Sequence, residues 1–413
     1  EMNLNALKQS LANLHKIDVP ASWATLGDDA PRVWPEGTPE FLKTLYPALY
    51  SEGDTLPVSK FVVGGVQPAG TSKYEKRGIA TVIPVWDAEK CTQCNQCATL
   101  CTHVCIRPFL LDAEEVKKAP ATFKSVPAVG DELKGLNFRI QVSAMDCSSC
   151  EVCAVNCPTN ALTMTNFREV GERESKNWEY AMTLTNKGNL VDKTTVKGCA
   201  FQTPMLEFPG ACAGCGETQA VRILTQLFGT RLMVANAMGC SRVWGGTFAS
   251  NPYTINARGQ GPAWGSSLFE DNAEFGFGMM TSTLIKLRNL ATRVQRILKD
   301  DSIPKSKELC ASLQTWLENP RDADKCEACY DNCVRLLADE KKNHKELALL
   351  EEVIDVMPKL TQWVIGGDGW AYDIGYGGVD HVLAQGEDIN ILVLDTEMYA
   401  NTGGQQSKAT QMS

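Results

Sequence analysis

Two runs of cysteine in one spacing govern what this chain can fold into: Cys91, Cys94, Cys97 and Cys101, then Cys147, Cys150, Cys153 and Cys157. Any fold must gather these thiols into groups, because a cuboidal four-iron cluster takes four converging thiolates. A C-x2-C-x2-C run wraps three ligands around one cluster, while its trailing cysteine reaches the other. The spacing therefore predicts one cluster on Cys91, Cys94, Cys97 and Cys157, and a second on Cys147, Cys150, Cys153 and Cys101. Structural zinc favours paired ligands over evenly spaced fours, and a reducing interior does not keep disulfides. Pro158 follows Cys157 as the pattern asks, whereas Thr102 stands after Cys101 where proline is usual. That departure touches a local turn and leaves the ligation unchanged.

With 413 residues and 44% hydrophobic content the chain should hold two or three domains with ordinary buried cores. No apolar run is long enough for a membrane span, and the start lacks the apolar core of a secretory signal. Seventeen cysteines in cluster spacings fit a reducing, cytoplasmic interior. A formal charge of -9 argues against a nucleic-acid footprint. The chain begins at Glu1 without an initiator methionine and stops at Ser413, and it reads as part of a longer protein.

Residues 1–85 carry turn signals (Pro35, Pro39, Gly64, Gly65, Pro68) after a short amphipathic opening, LNALKQSLANLH, and read as a connector. Within it Tyr74, Glu75, Lys76 and Arg77 form a short mixed charge run of the kind that is usually a solvated face. Residues 86–166 hold the cluster module, with more chain between its halves than a minimal ferredoxin needs. From about 200 the pattern alternates: ETQAVRILTQLFG has helical spacing, while RLMVANAMG, TQWVIGG and INILVLDT read as buried strands. This predicts an α/β domain with a parallel sheet over 167–413, interrupted by a helical insertion at about 272–358. Gly367, Asp368 and Gly369 follow one strand, and Asn401, Thr402, Gly403 and Gly404 follow the next. Both groups fall at strand carboxyl ends, where open α/β sheets bind ligands. A carboxylate flanked by glycines suits a hard cation and a diphosphate that approaches the backbone closely.

The doubled cysteine module resembles the two-cluster bacterial ferredoxins, an α+β fold. The stretches GGDGWAYDIGYGGVDHVLAQGEDINILVLDTEMYANTGGQQSKAT, GACAGCGETQ, NAMGCSRVWGG and GPAWGSSLFEDNAEFG, with YEKRG upstream, closely resemble pyruvate:ferredoxin (flavodoxin) oxidoreductases over nearly the whole chain. The resemblance implies Mg2+ on Asp368, Thr396 and the carbonyl of Met398. It implies thiamine diphosphate lined by Gly367, Gly369, Trp370, Glu397, Tyr399, Ala400 and Asn401, with Glu217 reaching it from another loop and Asn401 as the candidate catalytic residue. Cys212, Cys215 and Cys240, read on their own, are as consistent with buried thiols as with metal. The resemblance makes them ligands of a third 4Fe-4S cluster proximal to the thiamine, its fourth ligand coming from further along the enzyme. It also implies pyruvate and coenzyme A as substrates bound mostly by other domains, a homodimer at full length, ferredoxin or flavodoxin as acceptor, and a cytoplasmic or hydrogenosomal setting.

Cys326, Cys329 and Cys333 lie in the charged insertion and read as free thiols; Cys105, Cys199 and Cys310 read as packing residues. His103 and His381 read as scaffold histidines, and Trp244, Trp264 and Trp370 as core or pocket wall. A chain of this kind could instead be an electron carrier without its own catalysis, or the core of a pyruvate:NADP oxidoreductase fusion. The resemblance further implies that the chain alone does not turn over.

Overall fold

A computed structural model describes residues 2–10, 12–27, 33–51, 53–247 and 250–412; Glu1 and Ser413, on which the expectation of a longer protein turned, lie outside them. The chain divides into two compact units, residues 1–39 and 40–413. In the first, the amphipathic opening forms the exposed helix Met2–Ser10. All the elements below belong to the second.

Strand β1 (Val82–Trp86) precedes the first cysteine run and β5 (Leu162–Asn166) follows the second, and the two pair antiparallel with Pro84 opposite Met164. That pairing closes the cysteine module on itself. The extra chain between the runs forms β2 (Ile106–Leu111), β3 (Val126–Pro127) and β4 (Asn137–Val142), an antiparallel sheet in the order β2-β4-β3. Its inner face supplies Phe138 and Ile140 to a core shared with Ile83, Leu133 and the thiols of Cys147 and Cys153. The helix Phe167–Ala181 covers this sheet through a buried polar network in which Gln141 donates to Glu174 and Arg139 pairs with it at 3.5 Å.

The predicted α/β alternation forms β6 (Leu232–Asn236), β7 (Ala263–Ser266), β8 (Thr361–Gly367) and β9 (Asn390–Leu394), all parallel, in the order β7-β6-β8-β9. The chain therefore leaves β6 towards one side and reaches β8 and β9 on the other, and the topological switch lies between β6 and β8. The segment GPAWGSS, not anticipated as a strand, supplies β7. Two short strands, β10 (Met398–Tyr399) and β11 (Gln405–Gln406), make a hairpin beyond β9. The helical insertion comprises Asn272–Lys299, Lys307–Glu318, Ala323–Glu340 and Lys345–Glu351, built around a core of its own.

The Tyr74–Arg77 run corrects the reading of a solvated face. Glu75 is 4% exposed. Lys76 Nζ binds Asp146 Oδ2 at 2.5 Å and lies 4.8 Å from the Phe208 ring centroid, while the Gly78 amide donates to the Met145 carbonyl at 2.9 Å. A few residues upstream, the Gly70 amide donates to the Tyr253 carbonyl, and Ser72 Oγ meets Ser250 Oγ at 3.1 Å. Residues 70–78 thus form a strap from the α/β domain to the residues just before Cys147. Mixed charge here serves buried pairing, which local composition cannot reveal.

Burial pushes the Asp146 carboxyl above its ordinary value, and Lys76 opposes that shift. Replacing Lys76 by Met leaves the buried carboxylate without its cation and should cost about 1–3 kcal/mol in denaturant unfolding at neutral pH. Because the folded-state value is raised, the folded state loses stability as pH rises from the ordinary carboxylate value through the raised one. The penalty of Lys76→Met should accordingly shrink as pH falls into the carboxylate range, where Asp146 is protonated with or without Lys76. A penalty independent of pH would show that the pair is not what holds this strap.

Candidate functional site

Backbone geometry repeats in phase with the thiols. Gln93 and Ser149, each two residues after the first cysteine of its run, have φ of 59° and 56°. Asn95 and Glu151, one after the second cysteine, have 63° and 62°, and Val104 and Asn160, three after the fourth, have 54° and 52°. Left-handed backbone is unfavourable for such side chains and concentrates at functional sites. Its effect here is to curl the chain around each group of sulfurs and turn amides inward. The Gln93 amide donates to Cys91 Sγ at 3.4 Å, and the Ala161 amide to Cys157 Sγ at 3.2 Å.

Cys91, Cys94 and Cys97 line one small cavity together with Cys157, whereas Cys147, Cys150 and Cys153 line another together with Cys101. The trailing cysteine of each run stands in its neighbour's group, as the spacing predicts. Among the described residues no three metal-ligating side chains stand close enough to share a single ion. A cubane asks instead for one thiolate per iron, and these sulfurs surround a cavity rather than meet at a point. Burial, followed by the charges of neighbouring thiols, pushes Cys97 and Cys153 well above the ordinary thiol range. A fifth cysteine, Cys105, also lines the second cavity, so it is not the isolated packing residue read from sequence.

The loops after β6, β8 and β9 converge at the switch point on a cavity of about 320 Å³. Gly367, Asp368, Gly369 and Trp370 come from the β8 loop, Thr396, Met398, Tyr399, Ala400 and Asn401 from the β9 loop, and Cys240 and Glu217 from across the crevice. All were candidates from sequence. Glu397 shares the β9 loop but does not line the cavity; it is exposed, with φ of 58°. Asp368 is 1% exposed, and its Oδ1 accepts from the Thr396 amide at 3.2 Å and from Thr396 Oγ1 at 3.3 Å. Thr396 Oγ1 also meets the Met398 carbonyl at 3.1 Å. A carboxylate, a hydroxyl and a carbonyl are thereby held together, an all-oxygen set that suits Mg2+. A Cβ on Gly369 would stand 2.5 Å from the Tyr399 ring, so only glycine lets these two loops close on one another. Immediately beyond Asp368 the chain winds as a π-helical turn, Gly369–Ile374, a geometry that recurs at functional sites.

Glu217 accepts a hydrogen bond from Trp244 Nε1 at 2.8 Å. Its carboxyl is raised by burial and, to a lesser degree, by the charge of Asp368. Cys240, on the cavity wall, is pushed up to about 11 by burial and then by Glu217, Cys215 and Cys212. The third set of thiols therefore adjoins the cavity. In the turn that joins Cys212 to Cys215, Gly214 has φ of 78°.

This third set is tied to the second cluster cavity. Thr102 Oγ1 donates to the Cys215 carbonyl at 3.3 Å. His103 spans the gap, with Nε2 2.9 Å from the Ala211 carbonyl and Nδ1 3.1 Å from Ser148 Oγ. Gln219 Nε2 donates to the carbonyls of Leu100 and Cys215, at 3.1 and 2.9 Å, and Arg222 donates to the carbonyl of Ala98. The threonine that departs from the ferredoxin pattern is thus a bridging donor. Sequence reasoning missed Arg222, Met238, Gly239, Phe269 and Ser407, whose Oγ donates to Asp368 Oδ2. Met238, Gly239, Phe269 and Ser407 lie inside motifs already singled out, and marking the whole motif would have found them. By contrast, Cys326, Cys329 and Cys333 are buried within the core of the insertion, as packing thiols.

Comparison with known proteins places this geometry among relatives. The chain is 49% identical over 418 residues to the pyruvate:ferredoxin oxidoreductase of Moorella thermoacetica, which covers 99% of the chain and 35% of that protein. It is 46% identical over 414 residues to the pyruvate-flavodoxin oxidoreductase of Klebsiella pneumoniae, again 99% of the chain and 35% of the relative. The mitochondrial pyruvate dehydrogenase [NADP(+)] of Euglena gracilis is 47% identical over 397 residues, covering 96% of the chain and 22% of that protein. The chain thus spans about a third of the length of the first two relatives and is homologous to that part of them. Residues 27–80 match a family model described as EKR, a domain of unknown function.

Cross-ligation makes a specific prediction for the thiols. Anaerobically prepared protein should hold about eight irons in the doubled module. Cys157→Ser should damage the cluster on Cys91, Cys94 and Cys97 and spare the one on Cys147, Cys150 and Cys153. Electron paramagnetic resonance showing the reverse loss would overturn the assignment.

Proposed function

We propose that this chain is the electron-transfer and thiamine-diphosphate-binding part of a pyruvate:ferredoxin (flavodoxin) oxidoreductase. The overall reaction converts pyruvate and coenzyme A to acetyl-CoA and carbon dioxide, releasing two electrons and one proton. The observation that carries this reading is the continuity of the switch-point cavity with the Cys212, Cys215 and Cys240 thiols, and of these with the second cluster cavity.

Bound thiamine diphosphate supplies an electron sink for the carbanion left by departing carbon dioxide. The chain's own residues place it. Asp368, Thr396 and the Met398 carbonyl would hold Mg2+, which would offset the charge of the diphosphate, and Ser407 orients the Asp368 carboxylate by donating to its Oδ2. Gly367 and Gly369 let the diphosphate approach the backbone, while Trp370 and Tyr399 wall the cavity. Glu217, kept high by burial, presents a carboxyl able to share a proton with a polar ring atom. Asn401, exposed at the cavity mouth, is placed to meet substrate. The Cys212, Cys215 and Cys240 set and the two cavities of the doubled module would hold the clusters that carry electrons singly towards a ferredoxin or flavodoxin. In relatives such as the Euglena protein, named for NADP, the same core would feed a different acceptor.

The full-length protein carrying this chain should reduce a viologen dye anaerobically with pyruvate and coenzyme A. Asp368→Ala should lower that rate roughly 100-fold or more, a loss of several kcal/mol, because the diphosphate loses its metal anchor. The iron-sulfur signals should stay intact. Unchanged calorimetric affinity for thiamine diphosphate in that variant would remove Asp368 from the site and the reading with it.

A further inference from the structure

Five cysteines line the second cluster cavity, Cys101, Cys105, Cys147, Cys150 and Cys153, but a four-iron cubane takes one outer ligand per iron. One thiol is therefore surplus. The internal repeat identifies it, since Cys101 corresponds to Cys157 and the residue that corresponds to Cys105 is Ala161. Cys105 is 3% exposed, and its Sγ lies 3.4 Å from Cys101 Sγ. Cys147 lines the same cavity. A ligating thiolate carries no proton, so the single hydrogen in the contact between Cys105 and Cys101 belongs to Cys105.

We propose that Cys105 is the non-ligating thiol of this site and that it donates its S–H to the ligand sulfur of Cys101, raising the reduction potential of the second cluster above that of the first. The proposal rests on the cluster assignment given above. A donor to ligand sulfur offsets the charge gained on reduction, and so favours the reduced state. The first cluster has alanine at the matching place and lacks this donor. Because the second cluster faces the Cys212–Cys215 loop through Thr102 and His103, the donor acts on the relay stop nearest the thiamine cavity.

The test uses full-length holoprotein and the Cys105→Ala and Cys105→Ser variants, in redox titrations followed by electron paramagnetic resonance. The two clusters are told apart by the signal that Cys157→Ser loses. In Cys105→Ala the expected result is retention of both clusters, a more negative midpoint for the second, no shift for the first, and loss of one exchangeable-proton coupling seen by comparing H2O with D2O. Cys105→Ser, keeping a hydroxyl donor, should restore part of the midpoint and a proton coupling. Loss of the second cluster in both variants would make Cys105 a ligand and overturn the proposal. An unmoved midpoint with an unmoved coupling would reduce it to packing. If the parent protein itself lacks two clusters in this module, the underlying assignment fails, and that outcome is read before any variant is made.

Discussion

The carbonyl groups of Ala98 and Leu100 belong to the tight turn that carries Cys97 and Cys101, and they are satisfied from another part of the chain. Arg222 takes one and Gln219 the other, both from the helix Thr218–Phe228. This junction ties the three groups of thiols together, because Cys97 and Cys101 line different cavities and the same helix begins just after Cys215. Arg222 is 2% exposed, and burial draws its guanidinium down to about 10. No carboxylate pairs with it among the described residues; the opposing charges are the sulfurs of Cys101, Cys199 and Cys97. A buried cation without a carboxylate partner is costly, and the hydrogen bond to the Ala98 carbonyl offsets part of that cost.

The switch-point cavity is built on a different principle. Its floor is packed, with Trp370 fully buried beside Ala237 and Val364 in the core under β6 and β8. Its rim is open, for Met398, Ala400, Asn401 and Thr402 are exposed. Asp368, buried at the floor, is tied through Thr396 to the Met398 carbonyl at the rim, so the oxygen set spans both sides. The helical insertion, with a separate core, adds bulk behind the sheet without entering the cavity.

Much of this was legible in the chain itself. The cysteine spacing gave the cross-paired ligand groups because the motif is short and its geometry is local. Hydrophobic runs gave β6, β8 and β9, and the glycine-flanked Asp368 fell where parallel strands end. The misses share one cause. Lys76 meets Asp146 across 70 residues, Thr102 meets Cys215 across 113, and Arg222 meets Ala98 across 124. Each looked ordinary in its own window: a solvated charge, a broken proline rule, a polar residue on a helix. Cys105 seemed solitary only because its neighbour Cys147 arrives from the other half of the module. Periodicity reports which face of an element is buried, and it carries no information about which distant carbonyl a buried side chain will find.

The left-handed residues that repeat in phase with the thiols bear on how the protein matures. Val104 and five other non-glycine residues hold left-handed backbone in both cysteine loops, a conformation that costs free energy at each position. With the clusters proposed above, metal binding and folding would be coupled, an iron core helping to hold each curl in place. The helix Thr218–Phe228 meets the carbonyls of Ala98 and Leu100 on the first curl, so iron supply would bear on how this junction closes as well as on electron transfer.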